Sequence, residues 1–274
     1  MGAFLGTLGS LVELSQFAEE QSVDTGGQPS MFQALDGTRT MYVAPTYAMV
    51  LREWSVSMTD ARPEQAAAFQ AMCMGAAGFG PFLFVDPLAQ VTNLLTPRQS
   101  LVNPGTFLST QANPARLTIP VLGSMPALRI IGSALQLGTG TPVIPGRPVS
   151  ALVWVKSAAN IDVSIQFADV QGTWLTSPSA RVTAPSAGAW ATVSGVPGPG
   201  AAQAYIRVSA TAPTDVAAPA ITWTRGSPPW APGRGARQVG IHGLKETYRQ
   251  ASPSDPGKRR LTYSATITEV GNGA

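Results

Sequence analysis

Apolar and polar residues alternate along three stretches in the middle of the chain, at 149–156, 161–167 and 204–208. A period of two predicts β-strands that are buried on one side. Short strands recur with turns between them from residue 96 to residue 225, a pattern typical of a β-sandwich or jelly roll. One side of the three stretches would form the sandwich core, namely Val149, Ala151, Val153, Val155, Ile161, Val163, Ile165, Phe167, Ala204, Ile206 and Val208.

The opposite side of the same stretches carries polar side chains and separated aromatic rings. Trp154 lies on the first stretch, Gln166 on the second, and Tyr205 and Arg207 on the third. Aromatic rings can stack on the apolar side of a sugar ring, while amides and charged groups bind its hydroxyls. If this strand phase holds, Trp154 and Tyr205 share one face with Gln166 and Arg207, and we expect that face to suit carbohydrate.

The segments on either side of the sandwich predict a second, mostly β domain. Residues 8–17 alternate weakly and predict a first strand, and Asp36-Gly37 is a strong hairpin signal. Val50–Met58 alternates well. Near the end of the chain, residues 239–248 and 261–270 predict two closing strands.

One clear helix is predicted over residues 61–77. Thr59 or Asp60 can cap it, and Pro63 and Glu64 suit its first turn. A stripe along the helix is apolar, which places Cys73 in a core and not among reactive thiols; the stripe is Ala66, Phe69, Met72, Cys73 and Ala76. This cysteine is single, so an internal disulfide is excluded.

The charge distribution links the two ends of the chain. Residues 1–95 carry three basic and nine acidic side chains, a net charge of −6, whereas residues 227–274 carry seven basic and three acidic ones, a net charge of +4. Because these ends are electrostatically complementary, we expect them to fold together. The predicted domains are therefore residues 1–95 joined by 226–274, and an insert of residues 96–225.

The motifs of enzymes and cofactor sites are missing. His242 is the one histidine, and no nucleophile elbow, phosphate-binding loop or zinc-protease motif is present. We expect no enzymatic activity, no cofactor and no metal site. No apolar run approaches the length of a membrane-spanning helix.

The stretch FGPFLFVDPLAQVTNLL, residues 79–95, joins the helix to the sandwich. Phe82–Val85 predicts a short strand and Asp86-Pro87 a turn. Together with GLKET at 243–247 and TYSATITEVG at 262–271, this stretch resembles minor and distal tail proteins of actinobacterial siphophages. The resemblance implies a tail-tube-like β-sandwich hub with one α-helix, interrupted by a jelly-roll insert.

The same resemblance implies a structural function. Six copies would form a ring that joins the tail tube to the tail tip, with tail tube, tape measure and tip proteins as partners and DNA only in transit through the lumen. The protein would be made in the host cytoplasm and located at the tail tip of the virion. We expect no membrane-spanning segment.

The insert itself resembles the jelly-roll carbohydrate-binding modules of glycoside hydrolases in PGRPVSALVWVKS, FADVQGTWL and AWATVS. This resemblance implies that Trp190 is a core residue, while Trp174 follows a hairpin after Asp169 and is expected to be exposed. The alternative function is therefore a glycan-binding module that attaches the virion to the host cell wall. Its candidate carbohydrate-binding residues are Trp154, Tyr205, Gln166, Arg207 and Trp174.

Overall fold

The computed structural model describes residues 2–14, 23–24, 30–33, 39–42, 52–59, 63–78, 80–109, 111–226, 228–249 and 260–270. The chain divides into two compact units. The first comprises residues 1–6, 12–84 and 237–273, and the second comprises residues 7–11, 85–236 and 274. The long segment of the second unit, residues 85–236, extends beyond the predicted insert of residues 96–225 at both ends. The predicted division into hub and insert domains stays a prediction.

Strands dominate the described residues, and three helices interrupt them. The helices are α1 (Pro63–Cys73), α2 (Pro87–Val91) and α3 (Pro97–Ser100). The strands are β1 (Ala3–Thr7), β2 (Ser10–Leu14), β3 (Val23–Asp24), β4 (Ser30–Gln33), β5 (Arg39–Tyr42), β6 (Glu53–Thr59), β7 (Phe82–Val85), β8 (Phe107–Leu108), β9 (Ala112–Ile119), β10 (Gly123–Ile130), β11 (Ala134–Leu137), β12 (Thr141–Pro142), β13 (Val149–Ser157), β14 (Ile161–Ala168), β15 (Trp174–Thr176), β16 (Ser179–Val182), β17 (Ala189–Gly195), β18 (Gln203–Ala210), β19 (Thr214–Thr222), β20 (Ala236–Arg249) and β21 (Arg260–Glu269).

A seven-stranded sheet brings both ends of the chain together, in the order β2-β1-β7-β20-β21-β6-β3. Strand β6 shows how its sequence selects a face, since Trp54, Val56 and Met58 are buried while Glu53 and Ser55 are exposed. The alternation predicted for this segment is confirmed. The Trp54 ring also meets Phe84 edge to face at 5.2 Å.

At the end of the same sheet, Arg52 and Glu269 form a buried ion pair. Arg52 donates from Nε at 3.0 Å and from Nη2 at 3.1 Å to the two carboxylate oxygens. Such a fork-shaped contact satisfies both charges where water is excluded. The pair ties the start of β6 to the end of β21.

Helix α1 is shorter than predicted and buries part of the expected stripe, since Ala76 lies beyond its end and is exposed. Ala66, Phe69 and Met72 are buried, and Cys73 at the helix end is half-buried. Burial raises the pKa of the Cys73 thiol to about 11. The predicted cap residue Asp60 lies outside the described residues, as do Asp36 and Gly37, although β4 and β5 on either side of that turn do pair.

Two local predictions need correction. Residues 8–17 were predicted to form one strand, but a turn at Leu8-Gly9 separates β1 from β2, with Gly9 in the left-handed region at φ 77°. Asp86 was predicted as a turn former, but it caps α2, where its carboxylate accepts a hydrogen bond from Ala89 N at 2.7 Å. An N-cap and a turn use the same short side chain, so the sequence alone did not separate them.

The second unit is a β-sandwich with two antiparallel sheets. One has five strands in the order β17-β13-β19-β10-β9. The other has the order β15-β14-β18-β11-β8, with β12 also paired to β18 and β16 to β14. The predicted core residues of 149–155, 161–167 and 204–208 are all at most 1% exposed. The predicted fold class, mostly β with a sandwich in the middle of the chain, is confirmed.

Asn93 fixes the segment that leads into the sandwich. Its side chain is fully buried and donates to the carbonyls of Pro219 at 3.2 Å and Ala231 at 2.9 Å. Its Oδ1 accepts from the backbone N–H groups of Leu95 at 3.1 Å and Ile221 at 3.3 Å. A single amide therefore joins α2, β19 and the segment that leaves the sandwich.

Candidate functional site

The sandwich sheet that contains β14 and β18 carries most of the predicted binding residues on its outer face. Strands β14 and β18 are paired so that Gln166 lies opposite Tyr205 and Ser164 lies opposite Arg207. Directly opposed residues of an antiparallel pair point to the same side of the sheet. Since Ile165 and Ile206 face the core, these four side chains face outward. We call this surface the outer polar face and define it by Gln136, Ser164, Gln166, Trp174, Gln203, Tyr205 and Arg207.

Two aromatic rings meet on this face. The rings of Trp174 and Tyr205 lie edge to face, with centroids 5.1 Å apart and planes at 77°. The turn before Trp174 is fixed by Asp169, whose Oδ1 accepts from the N–H groups of Gln171 at 2.9 Å and Thr173 at 2.8 Å. Trp174 is 48% exposed, as its position predicted. It belongs to the short strand β15 and supplies an accessible aromatic surface.

A chain of hydrogen bonds holds Tyr205 in place. Its hydroxyl donates to Gln203 Oε1 at 2.9 Å, and Gln203 Nε2 donates to the carbonyl of Asp169 at 2.8 Å. The ring also lies against the backbone of Gly140, where a Cβ would come within 2.6 Å of Cε2 of Tyr205. Because every degree of freedom of this ring is restrained, its orientation is set before any ligand arrives.

Gln166 contributes an acceptor that the described residues leave unused. The side chain is 9% exposed, and its Oε1 has no hydrogen-bond partner in the described part of the chain. A buried acceptor without a partner costs about 1–3 kcal/mol. Oε1 itself is closed to solvent, so a ligand hydroxyl would recover that cost only after the Gln166 amide turns outward.

At the other end of the face, Arg207 borders a cavity of about 570 Å³ lined by Leu108, Ser109, Ala134, Gln136 and Arg207. Arg207 is exposed, and its cross-strand neighbours Ser164 and Gln136 are uncharged. Within the described residues it forms no ion pair. Its guanidinium is therefore open to a ligand.

Trp154 does not share this face, which corrects the sequence-based expectation. It lies on β13 of the five-stranded sheet and is 6% exposed. The two sheets of a sandwich point their inner sides at each other, so their outer sides point in opposite directions. The strand phase correctly predicted that the Trp154 side chain points away from the sandwich core. Phase alone does not say to which sheet a strand belongs.

The outer side of the five-stranded sheet forms a second apolar cluster around Trp154. Its buried members are Leu117, Ile119, Met125, Ala127, Trp154, Ala217 and Ala218, and Leu101, Ala115, Leu122 and Trp230 pack against them. Trp190 lies opposite Trp154 and meets it edge to face at 5.2 Å. The resemblance implied that Trp190 is a core residue, but it is 37% exposed.

A largely apolar cleft of about 490 Å³ opens beside Trp190. Its lining is Pro120, Val121, Leu122, Leu152, Trp190, Thr192, Pro228, Pro229 and Trp230. Trp230 is anchored by a hydrogen bond from Nε1 to the carbonyl of Pro219 at 3.2 Å. Sequence reasoning missed this cleft because Gly, Pro and Arg dominate residues 225–237 and give no strand or helix pattern, although Trp230 between prolines was a signal for packing.

Neither a metal-binding cluster nor a membrane-spanning helix is found in the described ranges. No group of three or more His, Cys, Asp or Glu side chains in them is placed to hold a metal ion. No helix among them is long and apolar enough to span a membrane. The outer polar face therefore offers its ligand stacking, hydrogen bonds and one charge.

No protein-family model matches the chain, and no curated protein sequence matches it. Several solved structures share part of the fold. The enzymatically active domain of tailspike protein 4 from bacteriophage CBA120 is 15% identical, with a TM-score of 0.40 over 48% of this chain and 21% of that one. The chain thus spans about a fifth of that tailspike domain.

Two further structures contain CBM22-1 modules. The CBM22-1 xylan-binding domain of Paenibacillus barcinonensis Xyn10C is 10% identical, with a TM-score of 0.35 over 45% of this chain and 89% of that one. The CBM22-1 and GH10 modules of Clostridium thermocellum Xyn10B are 12% identical, with a TM-score of 0.34 over 52% of this chain and 28% of that one. All three TM-scores are low, so we base no functional statement on these likenesses.

Proposed function

We propose that the protein is a component of a phage tail that binds carbohydrate on the outer polar face. The observation that carries the binding proposal is the exposed Trp174 ring, held against a fixed Tyr205 beside the unpartnered acceptor of Gln166. The assignment to a phage tail rests on the resemblance at residues 79–95, 243–247 and 262–271. Attachment to the host cell wall is the use that such a face would have.

Each group has a separate task in binding. The accessible side of Trp174 stacks on the apolar face of a sugar ring, an interaction that is strongest when the aromatic ring is already positioned. A sugar hydroxyl donates to Gln166 Oε1 and satisfies it. Tyr205 and Gln203 support Trp174 and present further hydroxyl and amide groups along the strand.

Two tryptophans on opposite sides of the sandwich allow a sharp test. Trp174→Ala should weaken polysaccharide retention in affinity electrophoresis roughly 10-fold, since an aromatic contact contributes about 0.5–1.5 kcal/mol beyond the area it buries. Trp190→Ala is the matched control, because Trp190 is similarly exposed on the other sheet. Loss of retention with Trp190→Ala but not with Trp174→Ala would assign binding to the wrong face and refute the proposal.

A ring that joins the tail tube to the tail tip is the second candidate function. Its support is that strand β7 of the residue 79–95 stretch and the closing strands β20 and β21 lie side by side in one sheet. The residues that carry the tail-protein resemblance are thus adjacent in space. Light scattering of the purified protein should then give about 170 kDa for six copies of the 28.4 kDa chain. A monomer at high concentration and in assembled virions would exclude the ring.

A further inference from the structure

The charges on the outer polar face are unevenly distributed. Arg181 donates to both carboxylate oxygens of Asp162, from Nε at 2.8 Å and from Nη2 at 3.0 Å. The hydrogen bonds from Arg181 hold the pKa of Asp162 below its ordinary value. This pair neutralises itself at the edge of the sheet and leaves Arg207 without a counter-charge from it.

Asp169 does not neutralise Arg207 either. Its carboxylate accepts two backbone N–H groups of its own turn. It lies five residues beyond Ser164, the cross-strand partner of Arg207, which corresponds to roughly 16 Å of extended strand. That distance is about twice the Debye length of roughly 8 Å at physiological salt. The local field at Arg207 is therefore positive.

The groups around Arg207 suit an anionic oxygen group. A guanidinium presents a planar fork of donors that matches a carboxylate or phosphate. Gln136 and Ser109 line the same cavity and add amide and hydroxyl groups. By strand register Trp174 lies level with Gln203, four residues before Arg207 on β18. Four residues span about 13 Å of strand, which is longer than one pyranose.

We infer that the outer polar face selects an acidic glycan, in which one sugar stacks on Trp174 and a sugar further along the same glycan presents a carboxylate or phosphate to Arg207. This inference rests on the proposed carbohydrate binding and adds the chemical class of the ligand. Nucleic acid is disfavoured, because Arg181 is already paired with Asp162 and Arg207 is the one other basic residue on this face among the described residues. Affinity for nucleic acid grows with the number of phosphates neutralised.

Matched polysaccharides test the inference. Polygalacturonate and its fully methyl-esterified form differ in the charge of the carboxyl group and in one methyl group per sugar. A phosphate-bearing mannan and the same mannan without phosphate differ only in phosphate. Wild-type protein should retain one charged form roughly 10-fold better than its neutral counterpart, the low end for a hydrogen bond between charged groups. The pair of polysaccharides that shows this preference indicates whether the bound group is a carboxylate or a phosphate. Raising the salt concentration should reduce that preference.

Variants locate the effect. Arg207→Gln should abolish the preference for the charged form and leave retention of the neutral form within about two-fold, while Arg207→Lys should retain part of it. Arg116→Gln is the matched control, because it removes the same charge from an exposed position on the five-stranded sheet.

The outcomes separate the two proposals. Equal retention of charged and neutral forms, still weakened by Trp174→Ala, would overturn the acidic-glycan inference and leave carbohydrate binding standing. An equal loss of preference in Arg116→Gln would also overturn it, since net charge alone would then explain the preference. Absence of retention of all four polysaccharides, or retention of double-stranded DNA instead, would refute both proposals.

Discussion

Replacing Trp154 by alanine removes an indole that is 6% exposed from the apolar cluster on the outer side of the five-stranded sheet. A buried tryptophan removes about 150–250 Å² from water, which at about 25 cal/mol per Å² corresponds to roughly 4–6 kcal/mol. The edge-to-face contact with Trp190 is lost as well. No hydrogen bond is lost within the described residues, because Nε1 of Trp154 has no partner there. We expect a loss of about 4 kcal/mol, within the range for large-to-small substitutions in cores.

Urea unfolding of the full-length protein, followed by circular dichroism, measures this loss. A change of about 4 kcal/mol lowers the midpoint by roughly 2 M when the slope is about 2 kcal/mol per M. Trp174→Ala should cost less than about 1 kcal/mol, since substitutions at exposed positions have small effects. Without urea, and at a temperature at which the Trp154→Ala variant remains folded, the variant should be retained by polysaccharide as well as the wild type is. A loss of stability below about 1 kcal/mol, with retention abolished, would show that Trp154 is an exposed binding residue and refute this reasoning.

Three further predictions concern the rest of the chain. Cys73 should react slowly with iodoacetamide at neutral pH, and its rate should rise with pH through about 11, because the raised pKa keeps the thiol protonated below that value; rapid alkylation of the folded protein at neutral pH would contradict this. Asn93→Leu should destabilise the sandwich by roughly 3 kcal/mol, because the buried N–H groups of Leu95 and Ile221 lose an acceptor and the carbonyls of Pro219 and Ala231 lose a donor; an unchanged urea midpoint would contradict it. Deleting residues 85–236 and bridging the gap with a short Gly-Ser linker should leave a cooperatively melting β protein, because loop length adds little to the cost of folding; a non-cooperative thermal transition would count against a discontinuous first domain.

The strand phase of the sandwich was predictable because a buried strand must alternate. Ile161, Val163 and Ile165 are all fully buried, as the period of two required. The alternate side chains, Asp162, Ser164 and Gln166, were correctly predicted to face away from the core. Local sequence carries this information, since a shift of one residue would bury the polar set and expose the apolar one.

The assignment of strands to sheets was not predictable in the same way. Trp154 and Tyr205 both alternate with core residues, yet β13 and β18 belong to different sheets. That choice depends on long-range pairing, which leaves no periodic signal in either strand. Trp190 was placed in the core through resemblance, and its 37% exposure depends on how closely Trp230 and Leu122 approach it from distant segments.

The two outer surfaces of the sandwich show why an aromatic residue alone does not identify a binding site. Trp154 and Trp174 both point away from the sandwich core. Leu101, Leu122 and Trp230 pack against the cluster that holds Trp154, so its ring is already in apolar contact and has little to gain from a ligand. Trp174 keeps half of its surface in water and lies beside an acceptor and a cation that the described residues leave unsatisfied. A ligand that stacks on Trp174, donates to Gln166 and presents an anion to Arg207 would gain apolar burial, a hydrogen bond and an ion pair on one surface, which the cluster around Trp154 does not offer.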